Sequence, residues 1–256
     1  MIDTHCHIDF TDFDRDREAV IAAAVAQGVD RLINIGADME SSRRSLALAL
    51  AHDAIYCTVG IHPHDSKTLT PAFLAEMEAM ASSPRVVGIG EIGLDYYRNL
   101  SPRDIQRRAF IQQLDLAARL KLPVVIHVRE AMEEALEIIE AYAGRLRGVF
   151  HCFPGTTEQA GYLVELGFLI SVNGVLTYKN SRMATVAREM DLETILIETD
   201  SPYLTPEPHR GRRNLPEYVR LVCARLAELK GISPAEADKT TTRNAEKLFR
   251  LVEMFG

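Results

Sequence analysis

Short runs of apolar, β-branched residues alternate with longer stretches of helical periodicity along the whole chain. Eight runs read as strands: residues 2–5, 31–35, 55–60, 86–90, 123–127, 149–152, 168–172 and 194–198. They are rich in Val and Ile, and several are apolar without interruption, as strands covered on both faces are. The intervening amphipathic stretches, among them 15–27, 41–51, 102–120, 130–142, 157–166 and 182–189, read as helices. Ser101 followed by Pro102 predicts a capped start with proline in the first turn for the third of these. Beyond the eighth strand, residues 216–230, 234–239 and 243–255 predict two or three further helices. Eight βα units in series favour a closed parallel (β/α)8 TIM barrel with additional C-terminal helices over an open doubly wound sheet. No low-complexity linker, composition shift or repeat interrupts the pattern, so a single domain over residues 1–256 is expected.

Composition fits this picture. The chain has 256 residues, 47% hydrophobic and 25% charged, enough for a substantial core. Met1-Ile2-Asp3-Thr4-His5 has no basic segment followed by an apolar stretch, and the apolar run at 19–26 is too short to span a bilayer. Cys6, Cys57, Cys152 and Cys223 lie far apart with no C-x-x-C pair, which suits reduced thiols. Together these features predict a cytoplasmic protein without membrane attachment. No obligate protein partner is evident. The net charge of −7 argues against a protein that coats nucleic acid, although His209, Arg210, Arg212 and Arg213 could make one local basic patch. An acidic chain with no long basic stripe fits action on strand ends or short single strands.

The histidines give the pattern its chemistry. Of eight, His5, His7, His62, His64, His127 and His151 fall at or just past the C-terminal end of a predicted strand. Those ends converge on one mouth of a barrel, where active sites are built. The pairs His5/His7, His62/His64, His127/Arg129 and Glu198/Asp200 are each two residues apart, a spacing that points both side chains to one face of a strand. Two neighbouring divalent ions need a bridging carboxylate with imidazole and carboxylate ligands on either side. Glu91, read as ending strand four, is placed to bridge. His5, His7 and Asp200 could hold one ion, and His127 and His151 the other. A water between such ions loses its proton near neutral pH. Taken singly, these residues have ordinary readings: a strand-end histidine as a structural hydrogen-bonder, Glu91 as half of a buried salt bridge, Asp200 as a turn or helix cap. Cys6 and Cys152 are expected on the alternate face, away from the ligands.

The motifs Asp3-Thr4-His5-Cys6-His7, Gly60-Ile61-His62-Pro63-His64, Gly90-Glu91-Ile92-Gly93-Leu94-Asp95-Tyr96, His127-Val128-Arg129, His151-Cys152-Phe153-Pro154-Gly155 and Glu198-Thr199-Asp200-Ser201-Pro202-Tyr203-Leu204 stand in one order along the chain. With His209-Arg210-Gly211-Arg212-Arg213-Asn214 and Thr241-Thr242-Arg243-Asn244-Ala245 they resemble the TatD-type metal-dependent deoxyribonucleases, a branch of the amidohydrolase-like hydrolases. The resemblance implies a nuclease of exodeoxyribonuclease type with two divalent ions on His5, His7, Glu91, His127, His151 and Asp200. It implies phosphate-binding roles for His62, His64 and Arg129, with His209 and Arg210 in the basic block that follows. Asp200 would also act as general base. Imidazole-rich ligands suit zinc or manganese, and the family's activity implies magnesium or manganese. Val128, Glu130 and Pro154 depart from the residues common at their positions, and none is a proposed ligand.

Other readings compete. Gly88-Ile89-Gly90-Glu91-Ile92-Gly93 fits the dinucleotide-binding fingerprint, but helical signals resume only near Pro102, so the phosphate-binding helix is missing. Those glycines read better as positions where strand backbone crowds a metal cluster. An amidohydrolase, deacylase or other esterase could use the same ligands, and a non-catalytic metal-binding scaffold would need to have lost one. Tyr96, Tyr97 and Tyr178 could stack bases or simply pack the barrel rim.

Overall fold

The computed structural model describes residues 1–251. Eight strands, β1 (Ile2–Cys6), β2 (Arg31–Asn34), β3 (Ile55–Val59), β4 (Val86–Asp95), β5 (Val124–Arg129), β6 (Gly148–Phe150), β7 (Phe168–Val172) and β8 (Ile195–Ile197), pair in parallel in sequence order. The ring closes just above β8. There Cys6 pairs in parallel with Ser201, Asp200 N–H donates to His5 O (2.8 Å) and His7 N–H donates to Ser201 O (2.8 Å). The result is a TIM barrel with extra helices after the eighth strand.

Helices α1 (Arg17–Ala26), α2 (Met39–Ala51), α3 (Pro71–Met80), α4 (Arg103–Leu120), α5 (Met132–Glu140), α6 (Thr157–Glu165) and α7 (Arg182–Glu189) alternate with the strands, and α8 (Val219–Lys230) and α9 (Pro234–Phe249) follow β8. Several begin on local signals. Asp38 accepts from Ser41 N–H at the start of α2, Thr70 accepts from Phe73 N–H ahead of Pro71, and Thr156 and Gln159 form a reciprocal capping box on α6. The larger apolar cluster lies between strands and helices. A second one fills the barrel: Ile2, Ile33, Tyr56, Val87, Val125, Val149 and Leu196, with Leu169 packed against them, supply residues from all eight strands. Leu248 and Phe249 from the end of α9, with Leu251 just beyond it, join this cluster and plug the barrel end away from the histidines.

Several expectations change. Helix α3 was not anticipated, and α9 is one helix where two were expected. Its Thr241 and Thr242 hydroxyls donate to Ala237 O and Asp238 Oδ1, so the β-branched run is accommodated without a break. Residues 252–255 of the last expected helix lie outside the described part. Ser101 does not cap α4; its hydroxyl donates to His64 O (2.7 Å), tying the loop after β3 to the one after β4. Strand β4 runs on to Asp95, so Glu91 lies within it. Ile89 pairs with Val124 and Ile92 with Ile126, which leaves one extra residue on β4 between those pairs, and such a bulge re-aims side chains. Among the described residues no helix is long and apolar enough to cross a membrane.

Candidate metal centre

At the C-terminal ends of the strands a cavity of about 810 Å³ is lined by His7, His62, His64, Glu91, His127, Arg129, His151 and Asp200, with other residues from the same loops. Glu91 stands at its floor, 4% exposed. Its two carboxylate oxygens face two different sets of donors. Oε2 lies 3.5 Å from His5 Nε2 and 3.7 Å from His7 Nε2. Oε1 lies 2.9 Å from His127 Nδ1, 2.8 Å from His151 Nε2 and 3.5 Å from His62 Nε2. Glu91 N–H donates to Gly36 O (2.7 Å), which fixes the backbone beneath it.

The first set is completed by Asp200, whose Oδ1 is 3.6 Å from both His5 Nε2 and His7 Nε2, while those two nitrogens are 3.2 Å apart. His7 Nδ1 faces the carbonyl of Ile35 (3.1 Å), which can only accept; a proton on this nitrogen leaves Nε2 as the ring's ligand atom toward the cluster. Donor separations of 3.2–3.7 Å match the edge, roughly 3.4 Å, of a tetrahedron whose corners lie about 2.1 Å from a central ion. In the second set His127 Nδ1 and His151 Nε2 point at each other across 3.1 Å, drawn together around Glu91 Oε1. Three imidazole nitrogens within 3.5 Å of one buried carboxylate oxygen, two of them 3.1 Å apart, are a fit for a divalent cation. His62, Glu91 and His127 form another trio able to hold an ion, as do His5, His151 and Glu198.

Carboxylates back the second set. His127 Nε2 lies 3.3 Å from Asp95 Oδ2, which also takes His64 Nε2 at 2.9 Å. His151 Nδ1 lies 3.4 Å from Glu198 Oε1, in ionic contact though without hydrogen-bond geometry. Glu198 also accepts from Cys152 N–H (3.0 Å), Asn173 Nδ2 (3.1 Å) and the Ser171 hydroxyl. Such outer carboxylates orient a ligating imidazole and raise its basicity.

The electrostatics follow from this crowding. Burial would raise the Glu91 carboxyl, but the charge of His151 and the hydrogen bonds of His127 and His151 hold it well below the usual range. Burial would lower His151, yet Glu91 and Glu198 lift it well above 6.5. His7 and His127 are likewise raised against burial, by Asp200 with Glu91 and by Asp95 with Glu91. His62, buried with less compensation, is pushed well below 6.5, and His5 is lowered by burial and by the charge of His151.

His5, His7, Glu91, His127, His151 and Asp200 are thus brought together, with His62 in contact with Glu91 and His64 one step out, on Asp95. Arg129 lines the mouth, its guanidinium 3.8 Å above the Tyr97 ring. His209 and Arg210 are not in the cavity wall. His209 stacks on Tyr218 (4.5 Å) in a separate shallow pocket, and Arg210 lies over Tyr178 (4.3 Å). Cys6 faces away as expected, its thiol donating to Ile33 O. Cys152 does not: it lines the cavity, because it follows β6 in left-handed backbone (φ 44°), where strand alternation no longer applies. Burial pushes its thiol up to about 12. Sequence reasoning missed the roles of Asp95 and Glu198, although both stand inside the quoted motifs. The glycines of the fingerprint-like run lie in β4, and a Cβ on Gly93 would sit 1.9 Å from His127 O.

A TIM barrel carrying a carboxylate between two imidazole sets at its strand ends is the framework of a metal-dependent hydrolase. Residues 2–250 match the family model described as TatD related DNase, and the chain belongs to that family. It is 39% identical over 253 residues to the uncharacterized metal-dependent hydrolase YabD of Bacillus subtilis, covering 98% of this chain and 99% of that protein. It is 36% identical over 262 residues to the 3′-5′ ssDNA/RNA exonuclease TatD of Salmonella typhimurium, covering 98% and 100%. Among solved structures, the TatD homologue YJJV of Escherichia coli superposes with a TM-score of 0.92 at 32% identity, covering 98% of each chain.

Proposed function

We propose that this hydrolase cleaves phosphodiester bonds at the ends of single-stranded DNA or RNA, using two divalent ions, magnesium, manganese or zinc. The observation that carries the reading is Glu91, whose two oxygens face separate donor sets. His5, His7 and Asp200 would hold one ion and His127 and His151 the other, with Glu91 shared. Bound ions would supply a nucleophilic water at neutral pH and neutralise charge building on the phosphate.

The protein's own groups do the rest. Asp200 reaches the cavity from the loop beyond β8. Asp200 would take a proton from the nucleophilic water and pass it toward the leaving oxygen. His62, kept neutral by burial, can donate one hydrogen bond to a phosphate oxygen, His64 stands beside it, and Arg129 offers a planar fork at the mouth. The relatives named as 3′-5′ ssDNA/RNA exonucleases support this substrate class.

The test is to strip the protein with chelator and restore Mg²⁺, Mn²⁺ or Zn²⁺ separately, following cleavage of single strands labelled at either end. Metal-dependent shortening from one end, absent in Glu91→Ala, is expected. Stoichiometric ion binding without cleavage of any strand would refute the nuclease assignment.

A further inference from the structure

The wall of the cavity changes character around the ring. His62, His64, Arg98 and Arg129 come from the loops after β3 and β4 and from the end of β5. Half a turn away in strand order, the loops after β1 and β8 contribute Phe10, Tyr203 and Leu204. One side therefore offers imidazole and guanidinium donors interspersed with Asp65 and Asp95, and the other offers rings and aliphatic surface.

The rings form a column. Phe10 lies flat on the candidate ligand His7, with centroids 4.6 Å apart and planes 17° from parallel. Tyr203 stands edge-on to Phe10 at 6.4 Å and 70°, and remains 53% exposed at the rim. Both are anchored through their backbones. Phe10 N–H donates to His7 O (3.1 Å) and Phe10 O accepts from Arg17 (3.2 Å). Tyr203 N–H donates to Asp200 O (2.8 Å), and Tyr203 O accepts from Asn214 Nδ2 (2.6 Å), which also holds Thr199 O (2.8 Å). An exposed ring carried on backbone fixed at both its N–H and its C=O has less freedom to lose on binding. The other rim tyrosines are engaged. Tyr96 donates to Glu134 beneath Arg103, Tyr97 carries Arg129 on its face, and Tyr178 donates to Thr205 O beneath Arg210.

We propose that Phe10 and Tyr203 form a stacking site for the base of the terminal nucleotide, a specificity element that rests on the nucleic-acid reading above. With the scissile phosphate at Glu91 and the backbone along His62, His64 and Arg129, the base of that nucleotide falls on the ring wall. Every base has a π-face, so the site accepts all of them. A base moves onto the site cheaply only when it is free of a pairing partner, which selects unpaired ends.

The experiment compares oligonucleotides with an intact or an abasic nucleotide at the attacked end, using the Mn²⁺-loaded wild type, Tyr203→Ala and Tyr203→Phe. Stacking worth about 1–3 kcal/mol per base corresponds to roughly 5- to 150-fold in affinity. Tyr203→Ala is expected to raise KM for intact ends by that factor with little change in kcat, and Tyr203→Phe to behave as wild type. On abasic ends wild type and Tyr203→Ala should be equal. Fluorescence anisotropy of labelled strands on chelator-treated protein should show the same split. An equal loss on both kinds of end, or none on either, overturns the proposal while leaving the nuclease reading in place. Failure of the wild type to cleave any strand overturns both, and is distinguished by appearing before any variant is made.

Discussion

Replacing Glu198 by glutamine tests whether the carboxylate behind His151 sets metal affinity. Glu198 is 1% exposed and lies 3.4 Å from His151 Nδ1, on the side of the ring opposite Glu91. The exchange keeps shape but removes charge. The amide oxygen can still accept from Cys152 N–H and Asn173, now at 3.0 and 3.1 Å, and the new NH2 can donate to the Ser171 hydroxyl. The cost to folding should therefore stay near that of one exchanged hydrogen bond, about 1 kcal/mol. The imidazole loses its anionic backing, and comparable outer partners govern about 10- to 100-fold in affinity, or roughly 1.4–2.8 kcal/mol. Competition against a chromophoric chelator measures the affinity, and urea unfolding in excess chelator measures the fold. Glu198→Ala serves as contrast. It strands the Ser171 hydroxyl and the Asn173 amide in a buried site, at about 1–3 kcal/mol for each group, and should lose stability as well as affinity. Wild-type affinity in Glu198→Gln, with the fold intact, would refute the reasoning and reduce Glu198 to a hydrogen-bond hub for the loop after β6.

Gly93→Ala should destabilise the protein by roughly 3 kcal/mol or more, since a strained backbone position alone costs about 1–3 kcal/mol. Gly93 has φ 141° and an added Cβ would meet the backbone oxygen of His127 at 1.9 Å; a denaturation midpoint unchanged from wild type would contradict this. The Asp16 carboxylate, bonded to Arg213 at 2.6 and 3.0 Å, is held below its ordinary 3.8 chiefly by that hydrogen bond. Because the folded value is depressed, the pair's contribution is in place above 3.8 and disappears as pH falls through the lower folded value. Arg213→Ala should return Asp16 toward 3.8 in a carboxyl NMR titration, and an unmoved titration would show that the contact does not form in solution.

The barrel is legible because buried parallel strands carry a signal that needs no partner, as in Val124-Val125-Ile126. Helix α3 is less so: its apolar residues are spread around the axis and only Met77 is fully buried, so no clean stripe marks it. Strand β4 was read short because Glu91, Gly93 and Asp95 interrupt its apolar run, and the ability to bury charge in a strand comes from histidines on other strands. The same logic divides the site. His5, His7, His127 and His151 announce themselves by strand-end spacing, whereas Asp95 and Glu198 acquire their roles from imidazoles on other strands, visible only once the ring is closed. Nothing local in the sequence separates Tyr203 from a tyrosine that packs the rim.

The seam where the ring closes runs through the first donor set. His5 comes from the first strand, His7 from just past it and Asp200 from just beyond the eighth, and the two edges of the sheet meet through His5 O and Asp200 N–H. An ion held by these three would be a clasp across the closing joint, its binding free energy available only to a chain in which the first strand and the segment after the eighth are paired. Metal binding at that set and closure of the barrel are then two readings of one equilibrium, and a chain that has not come full circle has no first site to fill.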